Sequence, residues 1–171
     1  MTTGARAVER DSAAPPAALL DEVDERSRAL AAAAVGRVYT VPAEAAQTAL
    51  ETEARTGARY DTILSFMCTP YVVSLEDYIV AVEQLLTDEG WIGMVEPAWL
   101  DRGSLRERLT ARRRHPSPRR SANGHDLVSA VRSHGLVVTD VHRREARSVP
   151  RAWRQYVVLK ARRESPRSPG P

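Results

Sequence analysis

The residues that could carry chemistry in this sequence are few and scattered. The four histidines lie at positions 115, 125, 134 and 142, and no two have the spacing of metal ligands on one helix with an acidic partner. Cys68 is the single cysteine and has neither a neighbouring base nor a basic helix start, so we expect a buried structural thiol. The sequence contains no Ser-His-Asp pattern, phosphate-binding loop or hydrolase elbow. Catalysis by a nucleophile or a bound metal is therefore not indicated.

The middle of the chain gives the clearest signals for the elements that would position a site. Residues 60–66 form an apolar run typical of a buried strand, and residues 91–95 form another. Between them, Ser74 followed three residues later by Asp77 predicts the start of a helix that ends near residues 87–90. We expect the apolar residues of this strand, helix and strand to be buried together: Ile63, Leu64, Ile79, Val82, Leu86, Ile92 and Val95.

Weaker signals flank this central part. The alanine-rich residues 25–35 and residues 43–56 favour helices that stop at Gly36 and Gly57, with a strand at 37–41 between them. Towards the end of the chain the pattern predicts a short helix and then two strands, at 126–133, 136–141 and 155–159. Alternating strands and helices followed by two helix-free strands predict an α/β sheet, mainly parallel, with an antiparallel strand at its C-terminal end.

Composition divides the chain into one domain and two tails. Residues 1–16 and 163–171 mix small, charged and proline residues without periodicity, so we expect a disordered leader and a disordered tail around one domain at 17–162. Inside that domain, residues 102–120 are rich in arginine, and Pro116 and Pro118 interrupt any helix there. We expect this stretch to be a water-exposed loop on the substrate side.

Charge and hydropathy exclude some partners. The net charge of +3 is too small to favour nucleic acid as a partner, and no apolar run approaches the 18 or so residues of a membrane span. The first residues lack the hydrophobic segment of a secretory signal. We therefore expect a cytoplasmic protein without a membrane partner.

The run from Tyr60 to Pro97 resembles the class I S-adenosylmethionine-dependent methyltransferase family. Tyr60-Asp61 matches the aromatic-Asp pair that opens the family's fourth strand, and Glu96-Pro97 matches the acid and proline that often close its fifth. The later segments 125–145 and 155–162 are similar to the family's late helix with its sixth strand, and to its seventh strand. The resemblance covers roughly residues 57–162 and implies a three-layer α/β sheet of class I methyltransferase type that lacks one N-terminal strand.

The cofactor half departs from the family pattern, because no G-x-G stands upstream of the fourth strand where a glycine-rich loop normally follows the first. In one alignment residues 17–24 are the second strand, Asp24 matches the acid that binds the ribose, Ala43 lies in the adenine-contacting corner, and the first strand is missing. In the other, residues 18–41 span the first two strands, residues 22–26 replace the glycine loop, and an edge strand is missing. Spacing favours the first alignment. The cost of unpaired backbone beside a lost central strand favours the second.

The resemblance implies methyl transfer from S-adenosylmethionine to a small-molecule acceptor. Ser65, Phe66 and Met67 end the fourth strand, where the family's substrate and cofactor meet, and Glu96 either faces the same cleft or is a water-exposed or arginine-paired carboxylate. Because the glycine loop is not found, we expect the isolated chain to bind S-adenosylmethionine weakly or not at all. A protein partner or homodimer that completes the sheet, a non-catalytic binding subunit, and a fragment whose upstream part encodes the missing strand are the alternatives.

Overall fold

A computed structural model describes residues 17–97, 124–146 and 155–163. The described helices are α1 (Ala17–Ala32), α2 (Ala46–Arg55), α3 (Leu75–Leu85) and α4 (Gly124–Ser133). The described strands are β1 (Val38–Thr40), β2 (Tyr60–Phe66), β3 (Leu86–Pro97), β4 (Leu136–Glu145) and β5 (Gln155–Arg163). Short 3-10 helices, Ala43–Ala45 and Thr69–Tyr71, precede α2 and follow β2.

The five strands form one sheet in the order β1-β2-β3-β5-β4. The first three strands are parallel, whereas β5 runs antiparallel to both β3 and β4. Residues from α2, α3 and α4 pack in one apolar cluster against one face of the sheet, and residues from α1 pack against the other. This is the predicted three-layer arrangement of class I methyltransferase type.

Local signals placed the central elements correctly. Strand β2 has the predicted bounds, Tyr60–Phe66. Helix α3 begins after Ser74, whose Oγ accepts a hydrogen bond from the Asp77 amide at 3.2 Å, as the capping pattern predicted. Gly57 (φ 70°) directly follows the last cap residue of α2, where a residue without Cβ ends a helix at low cost. The predicted stop at Gly36 is wrong, because α1 ends at Ala32, four residues before it.

The predicted core residues are all buried, but they do not form one cluster. Five of them pack on the face covered by α2, α3 and α4: Ile63, Ile79, Val82, Leu86 and Ile92. Val95 instead packs on the opposite face with Leu19 and Val23 of α1. The reason is the alternation of side chains along β3, which sends neighbouring residues of a strand buried on both sides to opposite faces.

Residues 17–24 are helical, so the strand that both alignments placed there is wrong. Leu19 and Val23 are one helical turn apart and are buried against the sheet, while Asp24 pairs with Arg28 on the exposed side of α1. Ser27 Oγ donates to the Val23 carbonyl at 2.9 Å within the same helix. The segment buries its apolar residues with helical rather than strand periodicity.

Strand β1 lies directly beside β2, with Val38 opposite Thr62 and Thr40 opposite Leu64. The sequence predicted a strand at 37–41 but not its neighbour in the sheet. The pairing has a simple physical reason. Without β1, the backbone N–H and C=O groups along that edge of β2 would have no partners, which is the same cost that makes the loss of a central strand unfavourable. The Val41 amide extends the pairing by donating to the Leu64 carbonyl at 2.9 Å.

Three strands begin or end outside their predicted limits, and β5 runs to Arg163, past its predicted end at 159 and into the first residue of the predicted tail. Strand β3 starts at Leu86, where the sequence pattern placed the end of a helix. Tyr60 pairs with Leu86 and Thr62 with Trp91, so the register shifts between these two pairs and the additional residues lie in β3. Strand β4 runs on to Glu145, beyond its predicted end at 141 and into polar residues. The predicted leader at 1–16 and the arginine-rich stretch at 102–120 lie outside the described residues.

Within the described ranges, no helix has the length and apolar character needed to cross a membrane.

Candidate functional site

The carboxyl ends of β1, β2 and β3 meet at one edge of the sheet, which is where open α/β sheets bind ligands. Beside this edge lies a group of buried polar side chains that we call the strand-end cluster. Its members come from β2, from the turn after it, from α3 and from the end of β3: Ser65, Cys68, Thr69, Tyr78 and Glu96. All five are buried, and Glu96 is 0% exposed.

The Glu96 carboxyl group accepts hydrogen bonds on both of its oxygens. Ser65 Oγ donates to Glu96 Oε1 at 2.5 Å. On the other oxygen, Oε2, the Thr69 amide donates at 2.9 Å and Thr69 Oγ1 at 3.0 Å. The end of β3 is therefore bound both to β2 and to the residues that follow β2.

Ser65 also contacts the hydroxyl of Tyr78, at 2.6 Å. Ser65 has a single hydroxyl proton, and when that proton is donated to an ionised Glu96, the Tyr78 hydroxyl must be the donor to Ser65. A chain of two hydrogen bonds then runs from α3 through β2 to β3, and every donor in it has an acceptor. Such fully paired polar groups are what burial in an apolar surrounding demands.

Burial shifts the ionisation of this cluster. Removal from water raises the pKa of Glu96 to about 7, against the opposing effect of the hydrogen bonds that Ser65 and Thr69 donate to its charged form. Burial, and then the neighbouring Glu96 carboxyl, raise the pKa of the Cys68 thiol to about 12. Burial raises the pKa of Tyr78 well above its usual value. Cys68 and Tyr78 are therefore neutral at pH 7, and the prediction of a buried structural thiol at Cys68 is confirmed.

The turn after β2 carries an unusual backbone conformation at Met67. Its φ of 56° lies in the left-handed region, which residues with a side chain seldom adopt. The Met67 amide donates to the Val95 carbonyl at 2.8 Å, and its side chain is buried with Val95 and Val23. A residue held in this region next to a strand end is characteristic of binding sites, where the surrounding structure fixes a costly conformation.

The structure brings three of the five predicted site residues together. Ser65, Phe66 and Met67 follow one another at the carboxyl end of β2, with Ser65 and Met67 buried and Phe66 half-buried. Ala43 begins the 3-10 helix after β1 and packs against the main apolar cluster. Asp24 is not at a strand end: it is exposed on α1 and its Oδ2 lies 3.1 Å from Arg28 Nε. Its ribose-binding role stays a prediction, without the strand end on which that prediction was based.

The carboxyl end of β1 does not fit the methionine end of S-adenosylmethionine in the way that the resemblance implies. Val41 and Pro42 lead directly into the 3-10 helix, and no glycine occurs between residues 37 and 56. Cys68 fills the space between the ends of β1 and β2, with its Sγ 3.8 Å from the Val41 carbonyl oxygen. Val41, Cys68 and Val72 are buried in one apolar cluster. The described residues therefore supply no glycine turn that would admit a ligand to the backbone.

Sequence reasoning missed the partners of Ser65. Glu96 was expected to face a cleft or to be water-exposed or arginine-paired, and the structure contradicts these alternatives by burying it among hydroxyl and amide donors. The available signal was the position of Glu96 at the end of a strand buried on both faces, followed by a buried proline. Tyr78 was readable as a buried position, because the apolar residues Val82 and Leu85 follow it four and seven residues later on the same face of α3.

A separate groove of about 350 Å³ lies between α2 and α3. Charged, amide and apolar side chains of the two helices line it: Glu51, Ala54, Arg55, Asp77, Val80, Ala81 and Gln84. It contains none of the predicted site residues and none of the strand-end cluster. Among the residues that the structure describes, no group of three acidic, histidine or cysteine side chains is placed to hold a metal ion.

The comparisons with known proteins give a fold and no sequence relative. No family model matches the sequence, and no curated protein matches it. A candidate sarcosine dimethylglycine methyltransferase from Galdieria sulphuraria is similar over 64% of this chain and 55% of its own, with a TM-score of 0.52 and 14% identity. A candidate methyltransferase from Bacillus halodurans is similar over 73% of this chain and 81% of its own, with a TM-score of 0.51 and 10% identity.

A third solved structure is a geranyl diphosphate C-methyltransferase from Streptomyces coelicolor in complex with Mg²⁺, geranyl diphosphate and S-adenosyl-L-homocysteine. It is similar over 61% of this chain and 48% of its own, with a TM-score of 0.46 and 15% identity. The chain thus spans about half the length of the Galdieria and Streptomyces proteins. At these identities the likeness concerns the fold, and the chain has the class I methyltransferase fold.

Proposed function

We propose that this chain takes part in S-adenosylmethionine-dependent methyl transfer to a small-molecule acceptor, and that the ends of β2 and β3 form the acceptor side of the site. The observation that carries the proposal is the strand-end cluster at the carboxyl edge of a methyltransferase-type sheet. Buried polar groups beside a left-handed Met67 are costly for a fold that only needs to be stable. They support a role for this edge in binding.

The chemistry of methyl transfer accords with the few reactive groups in the chain. Transfer of a methyl group from an electrophilic cofactor requires mainly that the two reactants be held in line, and the protein supplies position and exclusion of water. Phe66 and Met67, at the end of β2, are the residues that we assign to the acceptor side. Ser65 is fully buried and touches no acceptor. Its hydrogen bonds with Glu96 and Tyr78 hold the end of β2, and therefore Phe66 and Met67, in place.

The cofactor side is the part that a partner has to complete. Because Val41, Pro42 and Cys68 occupy the place of a glycine turn, we propose that the isolated chain binds S-adenosylmethionine only weakly. A second copy or another polypeptide, adding strands beside β1, would supply the remaining contacts. A single charge-assisted hydrogen bond to the cofactor would contribute about 1.5–3 kcal/mol to binding. Micromolar affinity requires about 8 kcal/mol, so one such contact on the isolated chain is not enough.

The proposal is tested by titrating the isotope-labelled chain with S-adenosylhomocysteine at millimolar concentration while its NMR spectrum is recorded. We expect amide shifts confined to residues 65–69 and to Glu96, with a dissociation constant weaker than micromolar by calorimetry. The variant Asp24→Ala tests the ribose-binding prediction, and Asp21→Ala, at an exposed acidic position of the same helix, serves as the matched control that should leave both results unchanged. If no residue at the strand ends responds, the proposed function is wrong. A micromolar constant that Asp24→Ala abolishes would instead establish an autonomous cofactor site on α1.

A further inference from the structure

Glu96 is a fully buried carboxyl group whose hydrogen bonds all go to β2 and the turn that follows it. Ser65 is in β2 itself, whereas Thr69 begins the 3-10 helix after the turn. The two contacts bracket residues 66–68, so the ends of this short segment are both fixed to one side chain on β3. Thr69 contributes two of the three donors within 3.0 Å, one from its backbone and one from its side chain, and the Cys68 backbone also favours the charged form.

The segment between those contacts is the one that holds Met67 in the left-handed region, with a φ of 56°. A backbone conformation of this kind persists only where neighbouring contacts determine it. The described contacts that do so are the hydrogen bond from the Met67 amide to Val95 and the bonds from Thr69 to Glu96. Val95 and Glu96 are consecutive residues of β3, so the end of this strand acts as the template for the turn.

We propose that Glu96 is a positioning residue of the acceptor side of the site, whose carboxylate holds the turn at residues 66–69, and with it Phe66 and Met67, in the conformation that the acceptor meets. The proposal rests on the proposed function, since it assigns the site to this edge of the sheet. Glu96 itself is buried and touches no ligand, so it acts through the turn.

The hydrogen-bond accounting shows what loss of the charge would do. A carboxylate accepts from all three donors, but a neutral carboxylic acid must itself donate one proton. When that proton points from Oε1 to Ser65, the hydroxyl of Ser65 turns to Tyr78, and the chain of donors reverses. The bonds from Thr69 then go to a neutral oxygen and weaken, because charge-assisted hydrogen bonds are the stronger ones.

The groups that face Glu96 carry no charge near neutral pH, so the protonation equilibrium of its carboxyl group is set mainly by burial and hydrogen bonds. From β2 and the turn come Ser65, Thr69 and Cys68, and from α3 comes Tyr78. Ser65 and Thr69 bear no charge, and Cys68 and Tyr78 are neutral at pH 7 because burial raises the pKa of each. With burial raising the pKa of Glu96 to about 7, the carboxylate and the acid are both populated near that pH.

The experiment follows three NMR signals across a pH series centred on the Glu96 midpoint: the Glu96 side-chain carboxyl carbon, the Thr69 amide and the Met67 methyl group. One pH unit to either side of the midpoint, about nine-tenths of the group is in one form. We expect the three signals to titrate together. Glu96→Gln should abolish the titration of the Thr69 and Met67 signals, because a glutamine amide donates to Ser65 as the neutral acid does. The exposed residue Glu89 provides the matched control, Glu89→Gln, which should change nothing.

The link to binding is measured by adding S-adenosylhomocysteine one pH unit above and one below the midpoint. Shifts at Phe66 and Met67 should be severalfold larger above it in the wild-type chain, and small at both pH values in Glu96→Gln. Equal shifts at both pH values, or a Thr69 or Met67 signal that does not titrate, would overturn the proposal while leaving the function intact. Absence of any shift would refute the function as well. Should Glu96→Gln not fold, Thr69→Val removes a single donor and is expected to raise the Glu96 midpoint.

Discussion

Gly36 and Asp61 form a contact at the amino end of the sheet that allows a quantitative test of the fold. Gly36 has a φ of 63°, and a Cβ added to it would lie 2.2 Å from Asp61 Oδ2 and 2.8 Å from Asp61 Cβ. Asp61 Oδ2 accepts from the Arg37 amide at 2.8 Å, and its Oδ1 accepts from Thr87 Oγ1 at 3.1 Å. The Arg37 amide and then the Thr87 hydroxyl lower the pKa of Asp61. One carboxylate thus joins the starts of β1, β2 and β3.

Replacing Gly36 with alanine should destabilise the chain for two separable reasons. A left-handed conformation costs a residue with a side chain about 1–2 kcal/mol. The added methyl group also overlaps Asp61, and rotating the carboxylate does not relieve its contact with the Asp61 Cβ, which is fixed to β2. Overpacking of this kind costs about 1–3 kcal/mol, so we expect Gly36→Ala to lose about 2–5 kcal/mol of unfolding free energy in total.

Gly57 provides a matched control, because its φ is 70° and a Cβ added there would have no described neighbour within 4 Å. Gly57→Ala should therefore show the conformational cost alone, about 1–2 kcal/mol. Both variants are compared by urea unfolding followed by circular dichroism, together with the single variant Asp61→Gly and the double variant Gly36→Ala, Asp61→Gly, since alanine at position 61 would keep the Cβ that lies 2.8 Å from the added methyl group. Removing the Asp61 side chain should reduce the further cost of Gly36→Ala to that of the control. Equal losses in the two single variants would refute the Gly36–Asp61 contact.

Further expectations concern the core and the ionisable groups. Leu86→Ala should cost about 2–5 kcal/mol in urea unfolding because Leu86 is fully buried, whereas Val73→Ala, at an exposed position, should stay within about 0.5 kcal/mol. The pKa of Asp61 is lowered in the folded state, so its stabilisation is present above its ordinary pKa and is lost on acidification; Asp61→Asn should flatten the acid limb of stability against pH. The pKa of Glu96 is raised from 4.5 in the unfolded chain to about 7 in the folded state. Between these two pH values the folded state binds a proton that the unfolded state has released, so the free energy of unfolding should fall as pH rises through this range. Glu96→Gln should remove that slope. Cys68 should react with iodoacetamide only after unfolding, because it is buried with a pKa of about 12.

The elements that could be predicted are those whose signals lie within a few residues of chain. The bounds of β2 follow from one apolar run, and the start of α3 follows from the Ser74 cap, whose partner Asp77 is three residues away. The predicted helix at 43–56 was likewise found, as a 3-10 turn followed by α2. In each case local propensity and the tertiary fold favour the same structure.

The N-terminal segment was assigned wrongly because the family pattern was given more weight than the local one. Leu19 and Val23 have a helical spacing, and between them Asp21 is exposed while the half-buried Glu22 accepts a hydrogen bond from the Tyr156 hydroxyl at 3.2 Å. Both alignments required a strand there in order to fill the first half of the sheet. The local periodicity, taken alone, would have predicted the helix.

Glu96 shows a limit of a different kind. Its donors are 31 and 27 residues away along the chain, so no local pattern indicates that they surround it. Carboxylates are seldom fully buried, and the expectation of an exposed side chain is correct for most sequences. Here the exception depends on the register of β2 against β3, which sets Ser65 opposite Met94 and brings the turn after β2 over the end of β3. Register is a property of the assembled sheet.

The same sheet explains how the proposed acceptor side could be held in place with little of a cofactor side. Strands β2, β3, β5 and β4 pair along most of their lengths, and apolar clusters cover the sheet on both faces, so this part of the core depends little on β1. Strand β1 adds only Val38–Thr40 and leaves Val38 42% exposed at the edge. A short edge strand limits unwanted pairing, yet it still offers backbone groups to a further strand. The fold thus keeps the turn at residues 66–69 in place through Glu96, while the edge beside β1 is where completion of the cofactor side would have to occur.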